Sequence, residues 1–260
     1  MDTMKLTKCI PIVLFDMDGT LTRSRQPIEL EMGELFAELT HNTTVGIMSG
    51  GGFEQFERQL LSRLPDSTDK SRLYIFPVTS AQCYVWKDGV WESVYDLALT
   101  KDEYEKIKKA IDVALSKTSM VEGVPMWGER LENRGAQISF AALGAEAPID
   151  EKEKWDPKGL RRKPFRDRLR TELPDFEIHI GGTTTVDITK KGIDKAYGVR
   201  WLSKHTGVPI KDMLFVGDAL HEGGNDAVVI PTGIETRQVS GPKETATVIE
   251  ELCVLCKKTI

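Results

Sequence analysis

The chain has 260 residues, of which 40% are hydrophobic and 29% are charged, values ordinary for a globular protein long enough to build one large or two smaller cores. Its net charge of −5 does not favour a nucleic-acid or anionic-membrane partner. The first residues lack the layout of a signal peptide, and no apolar run approaches the ~20 residues that span a bilayer. We therefore expect a cytoplasmic protein whose partners include no nucleic acid and no membrane.

The first predicted element is a buried strand of a parallel sheet. Four apolar residues at 12–15 indicate this strand, and the Asp16-Met17-Asp18-Gly19-Thr20 segment marks its carboxyl end. Ligands of open α/β sheets bind at that end. Two carboxylates one residue apart favour a bound cation, because a buried unpaired charge is costly. A turn built from Asp and Gly without function is the alternative, which the apolar run in front of it disfavours.

The residue types in this segment suit phosphoryl chemistry. We assign Asp16 as a nucleophile that attacks phosphorus beside Mg²⁺, which screens the carboxylate from an anionic substrate. Asp18 is the candidate general acid and base, a role typically worth ~10² to 10⁴ in rate. Thr20 offers a hydroxyl group and an N–H group to a phosphate.

A second strand and its turn continue the pattern. A helix is predicted at 29–39, a strand at 43–48, a further helix at 53–64 and a strand at 73–77. The second strand ends at Ser49-Gly50-Gly51-Gly52. The hydroxyl group of Ser49 and the accessible backbone N–H of Gly50 could bind a phosphate there.

The pattern then changes to one that parallel α/β units rarely contain. Residues 82–92 form two β runs joined by Asp88-Gly89, which predicts a tight hairpin. We therefore predict an inserted α+β domain at 81–189 within a catalytic core formed by 1–80 and 190–260. Its further elements are predicted as helices at 100–115 and 164–173 and strands at 134–143, 177–180 and 183–188. A tandem of two domains is the alternative, but it leaves the first motif without later partners.

Candidate partners of the first motif follow the insertion. Lys195 lies at the start of a predicted helix that extends to about residue 205, from which it could reach a phosphoryl oxygen and the nucleophile. Asp218 follows a second buried strand, and Asp226 lies in the next loop. The predicted metal ligands are therefore Asp16, Asp18, Asp218 and Asp226. A strand at 228–230 and a helix at 245–255 are expected to complete the core.

The four cysteines do not suggest a disulfide framework in a chain of this size. Cys9 and Cys83 are predicted to be small core residues. Cys253 and Cys256 have the spacing of a metal or redox pair but also share one helix face, and we prefer packing to ligation.

The first motif, Asp16-Met17-Asp18-Gly19-Thr20, resembles that of the haloacid dehalogenase superfamily of Mg²⁺-dependent phosphotransferases. Ser49, Lys195 and Gly217-Asp218 match the later motifs of that superfamily. The resemblance implies an α/β fold in which a Rossmann-like, doubly wound parallel-sheet core carries an inserted α+β cap of type IIB.

The layout further resembles the eukaryotic-type phosphomannomutases. The stretches that match are 15–22 with Arg25-Gln26, Phe53-Glu54, Phe76-Pro77, Lys87-Asp88-Gly89, Gly181-Gly182, Val186-Asp187, 192–195 and Gly217-Asp218 with 223–226. The resemblance implies substrate contacts by Arg25, Arg134, Thr185 and Asp187, and a homodimer formed through the cap. Ala145 and Lys152 stand where that family has its second and third cap arginines. A lysine lacks the bidentate fork of an arginine, and an alanine supplies no charge.

Three functions remain open from the sequence. A weakened grip on a second phosphate favours a Mg²⁺-dependent phosphatase that acts on a sugar phosphate or a similar small phosphomonoester. A phosphomannomutase, which interconverts hexose 1- and 6-phosphates through the same aspartyl-phosphate, is the alternative. A catalytically silent binding protein is the third hypothesis, but every catalytic position has suitable chemistry.

Overall fold

The computed structural model describes residues 7–257, which form two compact units. The first unit contains the chain up to Asp96 and again from Asp194, and the second unit is Leu97–Ile193. None of the helices within 7–257 has the length and apolar character needed to cross a membrane.

The strands of the described chain lie in two sheets. They are β1 (Ile12–Asp16), β2 (Thr44–Met48), β3 (Leu73–Phe76), β4 (Gln82–Lys87), β5 (Val90–Asp96), β6 (Leu131–Asn133), β7 (Gln137–Ala141), β8 (Phe176–Gly181), β9 (Thr185–Lys190), β10 (Met213–Gly217) and β11 (Glu235–Gln238).

The helices differ widely in length. They are α1 (Leu30–Thr40), α2 (Phe53–Gln59), the single turn α3 (Pro77–Ser80), α4 (Lys101–Lys117), α5 (Ile149–Trp155), α6 (Arg162–Glu172), α7 (Lys195–Thr206) and α8 (Pro242–Lys257).

The sheet of the first unit has the order β11-β10-β1-β2-β3-β4-β5. Neighbours from β11 to β3 run parallel, whereas β4 and β5 pair antiparallel. Side chains of β1 alternate between two buried clusters: Val13 and Phe15 pack with residues of α1 and α8, and Ile12 and Leu14 pack with residues of α7. Helices therefore cover both faces of the sheet, which confirms the predicted doubly wound α/β core.

The second unit is an α+β module with one apolar and one polar sheet face. Its sheet has the order β6-β7-β9-β8 and is antiparallel throughout. Ile138, Phe140, Val186 and Ile188 share one buried cluster with residues of α4 and α6. The alternate positions, which include Ser139 and Asp187 as direct neighbours, lie on the opposite face.

The structure corrects the expected placement of the hairpin. We predicted that residues 81–96 belong to the insertion, but β4 pairs with β3, and β4 and β5 extend the sheet of the first unit. The second unit therefore begins at Leu97 and not at residue 81. A local hairpin pattern shows that two strands pair with each other but not which sheet they join.

Several smaller elements also differ from expectation. The predicted strand at 228–230 is wrong: Ala227–Thr232 forms a 3-10 helix between the Gly-Asn-Asp loop and Gly233, and the edge strand is β11. Helix α2 ends at Gln59 and not at residue 64, because Leu61–Arg63 forms a separate 3-10 turn. The short elements β6 and α5 were missed, since neither has enough residues to show a period.

The expectation for two of the cysteines is also wrong. Cys9 and Cys256 form a disulfide, with Cα atoms 4.5 Å apart, that joins the segment before β1 to helix α8. Cys83 is buried as predicted, and Cys253 is a buried free cysteine on the face of α8 that packs into the core. Residues 247 positions apart carry no local pattern from which their pairing could be predicted.

Candidate active site

Three of the predicted acidic residues lie at the carboxyl edge of the parallel sheet. Asp16 is the last residue of β1, Asp218 directly follows the neighbouring strand β10, and Asp226 lies in the loop beyond it. Gly19 lets the first turn pass close to Asp218: it has a φ of +88°, and a Cβ atom there would lie 2.6 Å from an oxygen of Asp218. The hydroxyl group of Thr20 donates to Oδ1 of Asp218 at 3.3 Å.

Lys195 is the cation of this cluster. It is the first residue of α7, which the side chain of Asp194 caps, and it is 1% exposed. Its ammonium group donates hydrogen bonds to Oδ1 of Asp16 and to Oδ1 of Asp226. Asp226 in turn accepts the backbone N–H of Ala219 at 3.1 Å, so its second oxygen is also bound.

The charged groups of the cluster shift one another's pKa values. Burial raises the pKa of Asp16 to about 7, against the opposing effect of the Lys195 ammonium group. Burial alone would lower the pKa of Lys195, but the Asp16 and Asp226 carboxylates outweigh it and raise that pKa, so the side chain stays an ammonium ion. Burial and the neighbouring Asp226 raise the pKa of Asp218. A cation bound by these carboxylates would oppose their rise in pKa.

The same carboxylates suit a metal ion. Asp16, Asp218 and Asp226 each offer an oxygen atom, and these atoms lie within 4.8 Å of one another. Carboxylate oxygens are the ligands that Mg²⁺ prefers, so the donor set fits the expected metal. Asp18, the fourth predicted ligand, is not part of this group of three.

Asp18 instead accepts a set of hydrogen bonds. The backbone N–H of Arg25, which has a φ of +57°, donates to Oδ1 at 2.6 Å. Gln55 donates to Oδ2 at 2.8 Å, and Gln59 donates to Oδ1 at 3.3 Å. Neither glutamine of α2 could be selected from the sequence, because glutamine is mostly a solvent-exposed residue.

Ser49 directly follows β2, and the turn after β3 holds its carbonyl group in place. β2 pairs with β1 in a register that sets Met48 opposite Asp16, so Ser49 is the next residue at the same sheet edge. Its carbonyl group accepts the N–H of Thr79 at 2.8 Å, and its hydroxyl group accepts the N–H of Gly51 at 3.2 Å. Thr79 has a φ of +56°, a strained value for a β-branched residue, and such strain often occurs at functional sites. Gly50 is exposed beside Ser49.

In the second unit, Thr185 and Asp187 lie on the polar face of the sheet. Asp187 accepts a hydrogen bond from the hydroxyl group of Ser139 at 2.5 Å, and burial raises its pKa. Arg134 lies near this pair, and its guanidinium group is bound to Glu132 at 2.7 Å. The positive charge of Arg134 favours the ionised form of Asp187. Glu132, which binds Arg134, and Ser139, which binds Asp187, are residues that the sequence did not single out.

Arg162 holds the hairpin that bears Thr185. It is 2% exposed, forms an ion pair with Asp156 at 2.9 Å, and donates to the carbonyl groups of Gly181, Gly182 and Thr185 at 2.7–3.1 Å. Arg162 belongs to a run of basic residues at 161–170. Its guanidinium group makes buried structural contacts and is therefore not available to bind a phosphate.

Ala145 and Lys152, which stand where the family has its second and third cap arginines, contact each other directly. Lys152 donates from its ammonium group to the carbonyl oxygen of Ala145 at 2.8 Å. Ala145 is exposed and has no side chain that could bind an anion.

Comparison with known proteins gives the family. The family model for eukaryotic phosphomannomutase matches residues 32–255. The chain belongs to this family. It is 28% identical to phosphomannomutase 2 of Dictyostelium discoideum over 92% of this chain and 95% of that protein. It is 30% identical to the phosphomannomutase of Spinacia oleracea over 83% of this chain and 84% of that protein.

Solved structures that have low sequence identity to this chain share its fold. The N-terminally truncated IMP-nucleotidase of Plasmodium falciparum aligns with a TM-score of 0.71 at 17% identity, covering 95% of this chain and 71% of that one. The C-terminal domain of the C. albicans trehalose-6-phosphate phosphatase aligns with a TM-score of 0.62 at 15% identity, covering 96% and 94%. The expected haloacid dehalogenase fold is thereby confirmed. The names of the sequence relatives agree better with the mutase hypothesis than with the phosphatase that we ranked first.

Proposed function

We propose that the chain is a Mg²⁺-dependent enzyme that transfers the phosphoryl group of a sugar phosphate through an aspartyl-phosphate on Asp16. The observation that carries this proposal is the buried cluster in which Lys195 binds Asp16 and Asp226, while an oxygen atom of Asp218 lies within 4.8 Å of an oxygen atom of each of these carboxylates. A buried carboxylate with a fixed cation beside it is a suitable nucleophile for an anionic substrate, because the cation offsets the repulsion between like charges.

Residues of the first unit can carry out both half-reactions, with every bond and proton accounted for. An oxygen of Asp16 attacks phosphorus, the bond from phosphorus to the sugar oxygen breaks with its electron pair on that oxygen, and Asp18 supplies the proton. In the second step an acceptor oxygen attacks phosphorus, Asp18 takes its proton, and the electron pair of the breaking bond returns to Asp16. Lys195, Ser49 and the Gly50 N–H bind the phosphoryl oxygens, which gain charge as the bonds change.

Mg²⁺ would be held by Asp16, Asp218 and Asp226, with Asp18 as a further predicted ligand. When bound, it neutralises part of the phosphoryl charge and orients the group for in-line attack. The role of Thr20 is to fix Asp218, and Arg25 offers its exposed side chain to the substrate.

The acceptor oxygen distinguishes the two candidate reactions. A mutase returns the phosphoryl group to a sugar hydroxyl, and the relatives named phosphomannomutase favour this reaction, which we now rank first. The family resemblance adds Arg134, Thr185 and Asp187 as proposed substrate-binding residues.

A phosphatase, in which water is the acceptor, is the second candidate. It is favoured by one observation: Ala145 has no charge to offer, and Lys152 donates to the Ala145 carbonyl group. A mutase must keep the bisphosphorylated sugar bound while the sugar reorients and its two phosphate groups exchange positions. Weak binding of the second phosphate favours release of the sugar and hydrolysis of the phosphoenzyme by water.

The experiment that separates the candidates is a product assay. Mannose and glucose 1- and 6-phosphates are incubated with the protein and Mg²⁺, with and without a hexose bisphosphate, and ³¹P NMR follows free phosphate and isomerised sugar phosphate in the same sample. Isomer in excess of free phosphate supports the mutase, and the reverse supports the phosphatase. Neither product from any substrate would contradict the proposed function.

A further inference from the structure

We propose that Gln55 is a positioning residue for Asp18, and that Gly51 provides the space in which the Gln55 carboxamide lies. The inference rests on the proposed function, because it takes Asp18 to be the general acid and base. It adds that one side chain of helix α2 determines the orientation of the Asp18 carboxyl group relative to the reacting oxygen.

The two oxygens of Asp18 are held differently. Oδ1 accepts the N–H of Arg25 and the amide of Gln59, whereas Oδ2 accepts the Nε2 group of Gln55 at 2.8 Å. A carboxylate oxygen can only accept, so the amide nitrogen of Gln55 must face Asp18 and its Oε1 must point away. Removing Gln55 therefore frees Oδ2 and leaves the two donors on Oδ1 in place.

Gly51 explains how the carboxamide of Gln55 fits. A Cβ atom at residue 51 would lie 1.9 Å from Oε1 and 2.5 Å from Cδ of Gln55, and the nearest atoms it meets all belong to that side chain. Gly51 does not have the left-handed backbone that would strain an alanine. An alanine at this position would therefore displace the carboxamide of Gln55, and the backbone bonds of Gly51 to Ser49 and Val78 could persist.

Orientation matters because Asp18 acts twice on oxygen atoms bound to phosphorus. It must donate a proton to the leaving sugar oxygen and then accept one from the incoming oxygen, within about 2.6–3.2 Å of each. A displacement of about 1 Å in such a group can reduce the rate by roughly 10²-fold. Gln55 limits the rotation of the carboxylate by holding the oxygen that neither Arg25 nor Gln59 binds.

The test compares two leaving groups in single-turnover phosphorylation of the enzyme. A hexose phosphate leaves as an alkoxide and needs a proton from Asp18, whereas p-nitrophenyl phosphate leaves as a stable phenolate and needs none. We expect Gln55→Ala to slow phosphorylation by the hexose phosphate roughly tenfold to 100-fold. Phosphorylation by p-nitrophenyl phosphate should change by less than about threefold, because no proton transfer assists that step.

Gly51→Ala is the second variant, since it keeps the glutamine but displaces its amide. It should reproduce the loss of Gln55→Ala, and adding it to Gln55→Ala should cost little more, because both changes remove one interaction. Glu57→Gln, on an exposed position of the same helix, is the matched control and should behave as the wild type.

Three results would overturn the inference. Gln55→Ala could slow both substrates equally, which a structural role predicts, or it could slow neither. Gly51→Ala could cost as much in the Gln55→Ala background as in the wild type, which would show that the two residues act independently. Failure of the proposed function is distinct: the wild type itself would form no phosphoenzyme with either substrate, which overturns both statements.

Discussion

Lys195 and Asp16, 179 residues apart, form a buried ion pair at the carboxyl edge of the core sheet. The same ammonium group binds Asp226, so one cation serves two carboxylates that are almost inaccessible to water. Breaking a buried pair leaves an uncompensated charge and typically costs about 3–5 kcal/mol of stability.

Lys195→Met should therefore reduce both stability and turnover. We expect the free energy of unfolding, measured by urea denaturation without metal, to fall by about 3–5 kcal/mol. Turnover should fall at least ~10²-fold, because a charge that stabilises the transferring phosphoryl group is lost. Added Mg²⁺ should restore part of the stability but not the turnover. A variant with wild-type turnover would show that Lys195 is only a structural counter-ion.

Metal affinity provides a separate test of the acidic cluster. Asp218→Asn should weaken Mg²⁺ binding roughly tenfold or more, since the exchange removes a charged ligand while it retains the shape of the side chain. Isothermal titration calorimetry measures this directly. The exposed Asp66→Asn is the control and should bind as the wild type does. Equal affinity in Asp218→Asn and the control would exclude Asp218 as a ligand.

The disulfide between Cys9 and Cys256 closes nearly the whole chain into one loop. Such a bond typically adds 2–4 kcal/mol, roughly, by restricting the unfolded chain. A reducing agent should therefore lower the Tm of the wild type but not that of Cys9→Ser, which already lacks the bond. Mass spectrometry after alkylation of the denatured protein without reductant should find two free thiols, on Cys83 and Cys253, which are buried in the folded protein. Four free thiols would contradict this pairing.

The Asp156–Arg162 pair should make the stability of the second unit depend on pH. Burial would raise the pKa of Asp156, but hydrogen bonds from Arg162 and from the N–H of Arg161 outweigh it, so the pKa lies below the usual 3.8. Because the folded pKa is lowered, the contribution is complete above pH 3.8 and is lost as the pH falls through the folded value.

Asp156→Asn should thus be less stable than the wild type by about 3 kcal/mol at pH 7, as is typical when one partner of a buried ion pair is removed. The difference should shrink below about pH 4, because the wild-type carboxyl group is then losing its charge as well. Thermal melts of the wild type and Asp156→Asn from pH 3 to pH 7 measure this difference in stability, and Asp150→Asn, at an exposed position, is the control. A difference that stays constant with pH would contradict the linkage.

The sequence predicted the parts of the site that local patterns mark. Asp16, Ser49 and Asp218 each follow an apolar run, so their places at strand ends could be predicted, and the edge of a parallel sheet brings such ends together. Lys195 could be found because it begins a helix directly after the insertion. In the structure these residues lie at one sheet edge or contact one another directly.

What the sequence could not predict are contacts between residues without a shared pattern. Gln55 reaches Asp18, and Arg162 reaches the carbonyl groups of a hairpin, through side-chain directions that only the packed chain defines. The strand pair β4–β5 was recognised but assigned to the wrong unit, because its own residues do not specify β3 as its neighbour.

The assignment of Asp16 as the nucleophile can be tested by identifying the residue that becomes phosphorylated during turnover. The wild type and Asp16→Asn are mixed with a hexose phosphate and Mg²⁺, quenched in acid within one turnover, and digested for mass spectrometry. We expect one phosphoryl group on Asp16 in the wild type, and neither phosphoenzyme nor turnover in Asp16→Asn. Turnover by the wild type with a phosphoryl group on another residue, or turnover by Asp16→Asn at the wild-type rate, would contradict the assignment of Asp16 as the nucleophile.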